Sequence, residues 1–135
     1  MEDRKTILTP DGAAPPFGAY AHGVVAHGPG RLLLTSGQLG LPKDGACPAD
    51  VASQAEICFA TIDAILTQAG GTRADVLRLN AFVTARDDFP AYMAVRDQWL
   101  TEVTNKPAST LVIVTGFTRP EFLVEIEATA WLPVD

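Results

Sequence analysis

The chain has 135 residues, 47% of them hydrophobic and 19% charged, with a formal net charge of −6. That length suits one domain spanning residues 1–135, since domains peak at about 100–150 residues, and no apolar run approaches the ~18–20 residues of a membrane span. The acidic balance and the scatter of lysine and arginine argue against nucleic acid as a partner, because phosphate affinity rests on clustered positive charge.

The opening MEDRKTILTPDG lacks the apolar core of a secretory signal, so the cytoplasm is the expected compartment. Cys47 and Cys58 are the two cysteines, with no histidines at zinc-ligand spacing. They are read as reduced thiols, with neither a disulfide framework nor a metal site expected. Cys58 belongs on an apolar helical stripe and Cys47 in a loop.

Residues 9–22, TPDGAAPPFGAYAH, resist helix and central strand through their prolines and glycines and form a loop. GVVAHGPGRLLLTSG (23–37) reads as two short strands paired in a hairpin around Gly28-Pro29-Gly30. A helix follows from Asp50 to Ala69, with Val51, Ala55, Cys58, Ile62, Ile65 and Ala69 on one face, Asp50 as cap and Gly70-Gly71 as stop. VLRLNAFV (76–83) is a strand of central type. A second helix is expected over 88–102, capped by Asp88, with Pro90 in its first turn and Phe89, Tyr92, Val95 and Trp99 in a stripe. STLVIVTG (109–116) and EFLVEIEATAWL (121–132) complete the pattern as strands.

This order gives an α+β fold in which two helices cover one face of a mixed sheet of about six strands. In the run 109–114 both alternating sets of side chains are largely apolar, so the uncovered face also needs a partner. Other copies of the chain would serve, forming a closed oligomer with clefts between subunits. In LVEIEATA (123–130), Glu125 and Glu127 share the face opposite Val124, Ile126, Ala128 and Ala130. That places both acids near such an interface, either as site chemistry or as interface hydrogen bonds and ion pairs.

The segments GAYAHGV (18–24), LLTSGQLG (33–40), PADVASQAE (48–56), DDFPAYM (87–93), KPAST (106–110) and VEIEATA (124–130), in this order, resemble the RidA/YjgF family. These are reactive intermediate deaminases, also known as L-PSP endoribonuclease-like proteins. The resemblance implies a homotrimer of chorismate-mutase-like subunits with three small-molecule clefts. In the deaminase branch such clefts hydrolyse enamines and imines to 2-keto acids and ammonia without a cofactor. By position it implies a cleft built from Tyr20, Ser36, Gly37, Ser109 and Glu125. Deaminase members resemble P-A-R-S where this chain has Pro107-Ala108-Ser109-Thr110, so the arginine that clamps the substrate carboxylate is replaced by Ser109. The family's cleft asparagine on the second helix is likewise replaced, by Met93.

Imine hydrolysis needs a placed water, a group to take its proton, and stabilisation of the charged adduct. Glu125 in a partly dry cleft is the group for that role. Without the arginine clamp, activity on 2-imino acids should be weak or absent unless Arg31, Arg96 or Arg119 reaches the site, Arg119 being first choice from its place in a loop. Ser109 as a nucleophile would need His22 or His27 beside it. Tyr20 could donate to a ligand or pack on a neighbouring subunit. The expectation is a hydrolase of the imine or enamine deaminase type. The alternative is a non-catalytic ligand-binding or regulatory protein on the same trimer.

Overall fold

A computed structural model describes residues 4–134; residues 1–3, part of the segment read for a leader, and residue 135 lie outside the described residues. The strands are β1 (Lys5–Leu8), β2 (Gly23–Ala26), β3 (Arg31–Leu34), β4 (Gln38–Leu39), β5 (Val76–Val83), β6 (Ala108–Ile113) and β7 (Val124–Leu132). The helices are α1 (Val51–Gln68) and α2 (Phe89–Trp99). No helix among the described residues is long and apolar enough to cross a membrane.

β7 organises the sheet. Its side chains alternate strictly, with Val124, Ile126, Ala128, Ala130 and Leu132 buried and the residues between them half-buried. A single period-2 strand thus supplies one core face and one open face. β7 pairs antiparallel with β3, β4 and β5, and β5 pairs in parallel with β6, the crossover running through α2. Parallel neighbours require such a crossover.

The strands divide into this five-stranded sheet and a separate two-stranded ribbon of β1 and β2, rather than one sheet of about six. The expected 23–37 hairpin is also corrected: β2 pairs with β1, while β3 leaves it to pair with β7. The cause is long-range. Gly28 turns the chain with φ +69°, but at Gly30 a Cβ would stand 2.3 Å from the Trp131 indole, whose Nε1 donates to the His27 carbonyl at 3.0 Å. That ring occupies the inside of the turn and directs β3 onto β7.

α1 begins as its sequence dictates, the Asp50 carboxylate accepting from the Ser53 amide at 2.8 Å, and ends at Gly70 in the left-handed region (φ +84°). Val51, Ala55, Cys58 and Ile62 are buried as expected, but the stripe continues to Leu66 rather than Ile65 and Ala69, keeping the four-residue step from Ile62. α2 is shorter than expected. A 3₁₀ turn at Arg86–Asp88 already puts Asp88 in the helical region, so its side chain caps nothing, and the buried stripe is Tyr92, Arg96 and Trp99.

Both helices pack on the face that carries Leu79, Ala81, Val83 and the buried half of β7, around Phe59, Ile62, Leu66, Tyr92 and Trp99. Each such large side chain contributes about 1.5–3 kcal/mol by leaving water. The opposite face is left open by the described residues: Leu32 and Leu34 on β3 are 61% and 67% exposed, and Val112 on β6 is 40% exposed.

Candidate functional site

The site residues fall into two groups on different faces of the sheet. On the open face, Glu125 and Glu127 sit on β7 with unlike surroundings. Glu127 accepts from Asn80 Nδ2 at 3.1 Å, and Asn80 in turn accepts from Arg78 Nε at 2.9 Å, while Arg78 Nη2 donates to Thr110 Oγ1 at 2.7 Å. This chain of bonds crosses β7, β5 and β6 and gives Glu127 a structural partner. Glu125, half-buried, has no hydrogen bond or ion pair among the described residues.

What Glu125 has instead is Gly37. A Cβ there would come within 2.6 Å of its Cδ and Oε2, so the carboxylate lies over bare backbone. The approach is made by a break in pairing. From Leu34↔Thr129 to Gln38↔Ile126 the chain advances four residues against three on β7. This one-residue bulge turns the Ser36-Gly37 backbone toward the acid. Thr35 secures it, its amide donating to the Ala128 carbonyl and its Oγ1 accepting from the Ala128 amide, both at 3.0 Å. Ser36 itself is exposed and its carbonyl accepts from Gln38 Nε2 at 3.1 Å.

The second group lies at the β6 edge on the helix side, where Ser109 pairs with buried Leu79. Ser109 has no histidine beside it; His22 bonds the Ala14 carbonyl and His27 bonds Thr6. Its Oγ instead accepts from Arg96 Nη1 at 3.3 Å. Arg96 is 3% exposed, donates from Nε to Asp97 at 3.0 Å, and lies 5.7 Å from the Tyr20 ring centroid and 5.9 Å from that of Tyr92. Its Nη2 is buried without a hydrogen-bond partner among the described residues, as is the Tyr92 hydroxyl, whose pKa burial pushes up with Arg96 partly opposing.

The guanidinium nearest Ser109 is therefore Arg96 and not Arg119, which pairs with Glu121 at 3.8 Å and covers the Phe122 ring. Arg31 is likewise occupied, donating to the Pro133 and Ala69 carbonyls. Met93 packs against the core. The signal that could have revealed Arg96 was present: spacing 92, 96, 99 fits one helical face as well as 92, 95, 99 does. Cys58 is buried, its thiol pushed up to about 12 by desolvation. Desolvation and then Glu121 also push Cys47 up. Neither is a ready thiolate. Among the described residues no group of three His, Cys, Asp or Glu side chains could hold a metal ion.

Within one protomer Tyr20 and Ser109 are thus held together, and Ser36, Gly37 and Glu125 are held together, but the two groups do not meet.

Comparison with known proteins gives a consistent assignment. The family model described as Endoribonuclease L-PSP matches residues 11–132. A 2-iminobutanoate/2-iminopropanoate deaminase of Escherichia coli (strain K12) is 35% identical over 128 residues, covering 93% of this chain and 96% of the relative. A RutC family protein of Haemophilus influenzae is 38% identical over 104 residues, 75% of this chain and 79% of its own. Among solved structures, YyfB of Yersinia pestis, described as a Rid family protein of unknown function, superposes with a TM-score of 0.86 at 29% identity over 96% of this chain and all of that one. E. coli TdcF with bound serine gives 0.70 at 30% identity, covering 95% and 99%. With that coverage added to the sheet order and the two helices on one face, the chain belongs to the RidA/YjgF family, whose model is described as Endoribonuclease L-PSP.

Proposed function

We propose that this chain is a cytoplasmic homotrimeric hydrolase that deaminates an imine, an enamine or a related small molecule in clefts between copies. One copy supplies Ser36, Gly37 and Glu125, and the next supplies Tyr20 and Ser109. Exposed Leu32, Leu34 and Val112 on the open sheet face supply the apolar seam that brings the two groups together. Met93, packed against the core, and Arg119, paired with Glu121, are given no chemical step in this reading.

The observation that carries the reading is the unlike treatment of two neighbouring acids. Glu127 is tied across the sheet, whereas Glu125 has no hydrogen-bond or ion-pair partner among the described residues and rests on a residue without a side chain. In that position its carboxylate takes a proton from water as the water oxygen bonds to the imine carbon, giving a carbinolamine. With the imine nitrogen protonated at the outset, that carbinolamine is neutral; Glu125 returns its proton to the nitrogen, then takes the hydroxyl proton as the C–N bond breaks, releasing ammonia, leaving a carbonyl, and passing the last proton to solvent. The bound serine of TdcF supports a ligand of amino-acid size.

Ser109 makes activity on 2-imino acids weak compared with arginine-bearing relatives, because the guanidinium beside it, Arg96, is 3% exposed and must be uncovered before it can meet a carboxylate. The test is ammonia release from a panel of 2-imino acids and neutral imines by wild type and Glu125→Gln. General base catalysis contributes about 10²–10⁴-fold; a Glu125→Gln rate within about twofold of wild type would remove the acid from the mechanism. If ligands bind and are recovered unchanged, the non-catalytic reading takes its place.

A further inference from the structure

A buried arginine is retained against the cost of desolvation only where its donors are put to use. Arg96 uses few of them. Of the five N–H donors of a guanidinium, Nε serves Asp97, Nη1 makes a long 3.3 Å bond to Ser109, and Nη2 serves nothing while buried. Both flanks of the group are aromatic, Tyr20 and Tyr92, which hold it in plane but take no hydrogen from it. Gly18 lays loop backbone against Nη2, since a Cβ there would be only 2.6 Å away, beside the Tyr20 ring. Asp97 does not bury its charge with Arg96: its side chain remains 43% exposed.

The cover is part of the proline-rich loop. That loop is fastened at its end, where the Ala21 amide donates to the Pro107 carbonyl at 2.8 Å. Its tip carries Phe17, 85% exposed and packed only edge-on against Tyr20 in ring contact. Lifting residues 17–20 about Ala21 would uncover the Nη1–Nη2 edge, whose parallel donors match the two oxygens of one carboxylate.

We propose that Arg96 is a carboxylate receptor delivered from α2, closed by Tyr20 and Gly18, and that its ligand class is a small 2-oxo or 2-imino monocarboxylate. The proposal rests on the hydrolase reading only for the choice of ligand. Ser109 is the small seat that leaves room for this guanidinium, so residues 96 and 109 form one unit in which a single arginine can be housed.

The test is calorimetric titration of the full chain with 2-oxobutanoate, and with butanone as the uncharged counterpart. Wild type should bind 2-oxobutanoate and not butanone. Arg96→Met should weaken binding by about tenfold or more, Arg96→Lys should recover part of it, and Asp97→Asn should tighten it by removing the negative charge that competes for the guanidinium. Absence of 2-oxobutanoate binding in wild type, equal binding by Arg96→Met, or equal binding of butanone would overturn the proposal. Should Arg96→Met not fold, an unchanged affinity in Asp97→Asn would do the same. Glu125→Gln should still bind 2-oxobutanoate while losing turnover. Wild-type turnover in that variant would defeat the hydrolase reading and leave the receptor standing.

Discussion

Introducing the missing arginine, Ser109→Arg, is the perturbation that interrogates the site most directly. In wild type the Ser109 hydroxyl is 3.3 Å from Arg96 Nη1, so a second guanidinium must share the space of the first. Two like charges about 4 Å apart repel by roughly 4 kcal/mol at an effective dielectric constant of about 20. A carboxylate clamp returns about 1.5–3 kcal/mol, so repulsion wins. Ser109→Arg alone should therefore lower stability and leave kcat/KM on 2-iminobutanoate unimproved. In an Arg96→Met background the repulsion is gone, and the same substitution should raise kcat/KM by about 10- to 150-fold. The assay is ammonia release at low substrate for the four members of the cycle, with thermal melts to monitor folding. Equal gains in both backgrounds would show that residues 96 and 109 do not compete for one place, and would refute the reasoning.

Gly37→Ala should displace the Glu125 carboxylate, because the new methyl would stand 2.6 Å from it, lowering kcat on any accepted imine by about tenfold or more with little change in melting temperature. Gln54→Ala removes three hydrogen bonds, to the carbonyls of Pro48 and Glu121 and from the Leu123 amide, and should cost about 3 kcal/mol, read as a melting point lower by about 10 °C. Cys58 has its pKa raised from 9.0 to about 12 in the folded chain, so above pH 9.0 the unfolded thiol loses its proton while the folded one keeps it. The folded state then binds more protons, and stability must fall as pH rises through that window. Burial raises the Tyr92 phenol as well, adding to the fall at higher pH. Urea melts across this range should show the decline, and Cys58→Ala should lessen it; an unchanged slope in that variant would exclude the thiol as a source.

Features set by neighbours in sequence were legible, and those set by distant partners were not. The alternation of β7, the span Val76–Val83, the Asp50 cap and the Gly70 stop depend on a few adjacent residues, and they stand where periodicity put them. The 23–37 hairpin failed because its turn chemistry was sound but Trp131, a hundred residues on, occupies the inside of the turn. Gln54 was invisible for the same reason: its partners Glu121 and Leu123 lie far along the chain. At the site, sequence order identified Ser109 as a departure but chose Arg119 over Arg96. Loops were favoured over helices as the source of a reaching guanidinium, whereas α2 places an arginine on its buried stripe.

The extra residue between β3 and β4 acts like a half-twist in a ribbon. It lets Leu32 and Leu34 look outward while Gln38, four positions after Leu34, looks inward, although an unbroken strand would set Leu34 and Gln38 on the same side. Shortening residues 35–37 by one would restore that uniform parity. The molecule would then have to choose between turning its leucines into the helix layer and breaking the fit of β4 against α1, and either choice would withdraw the floor from beneath Glu125.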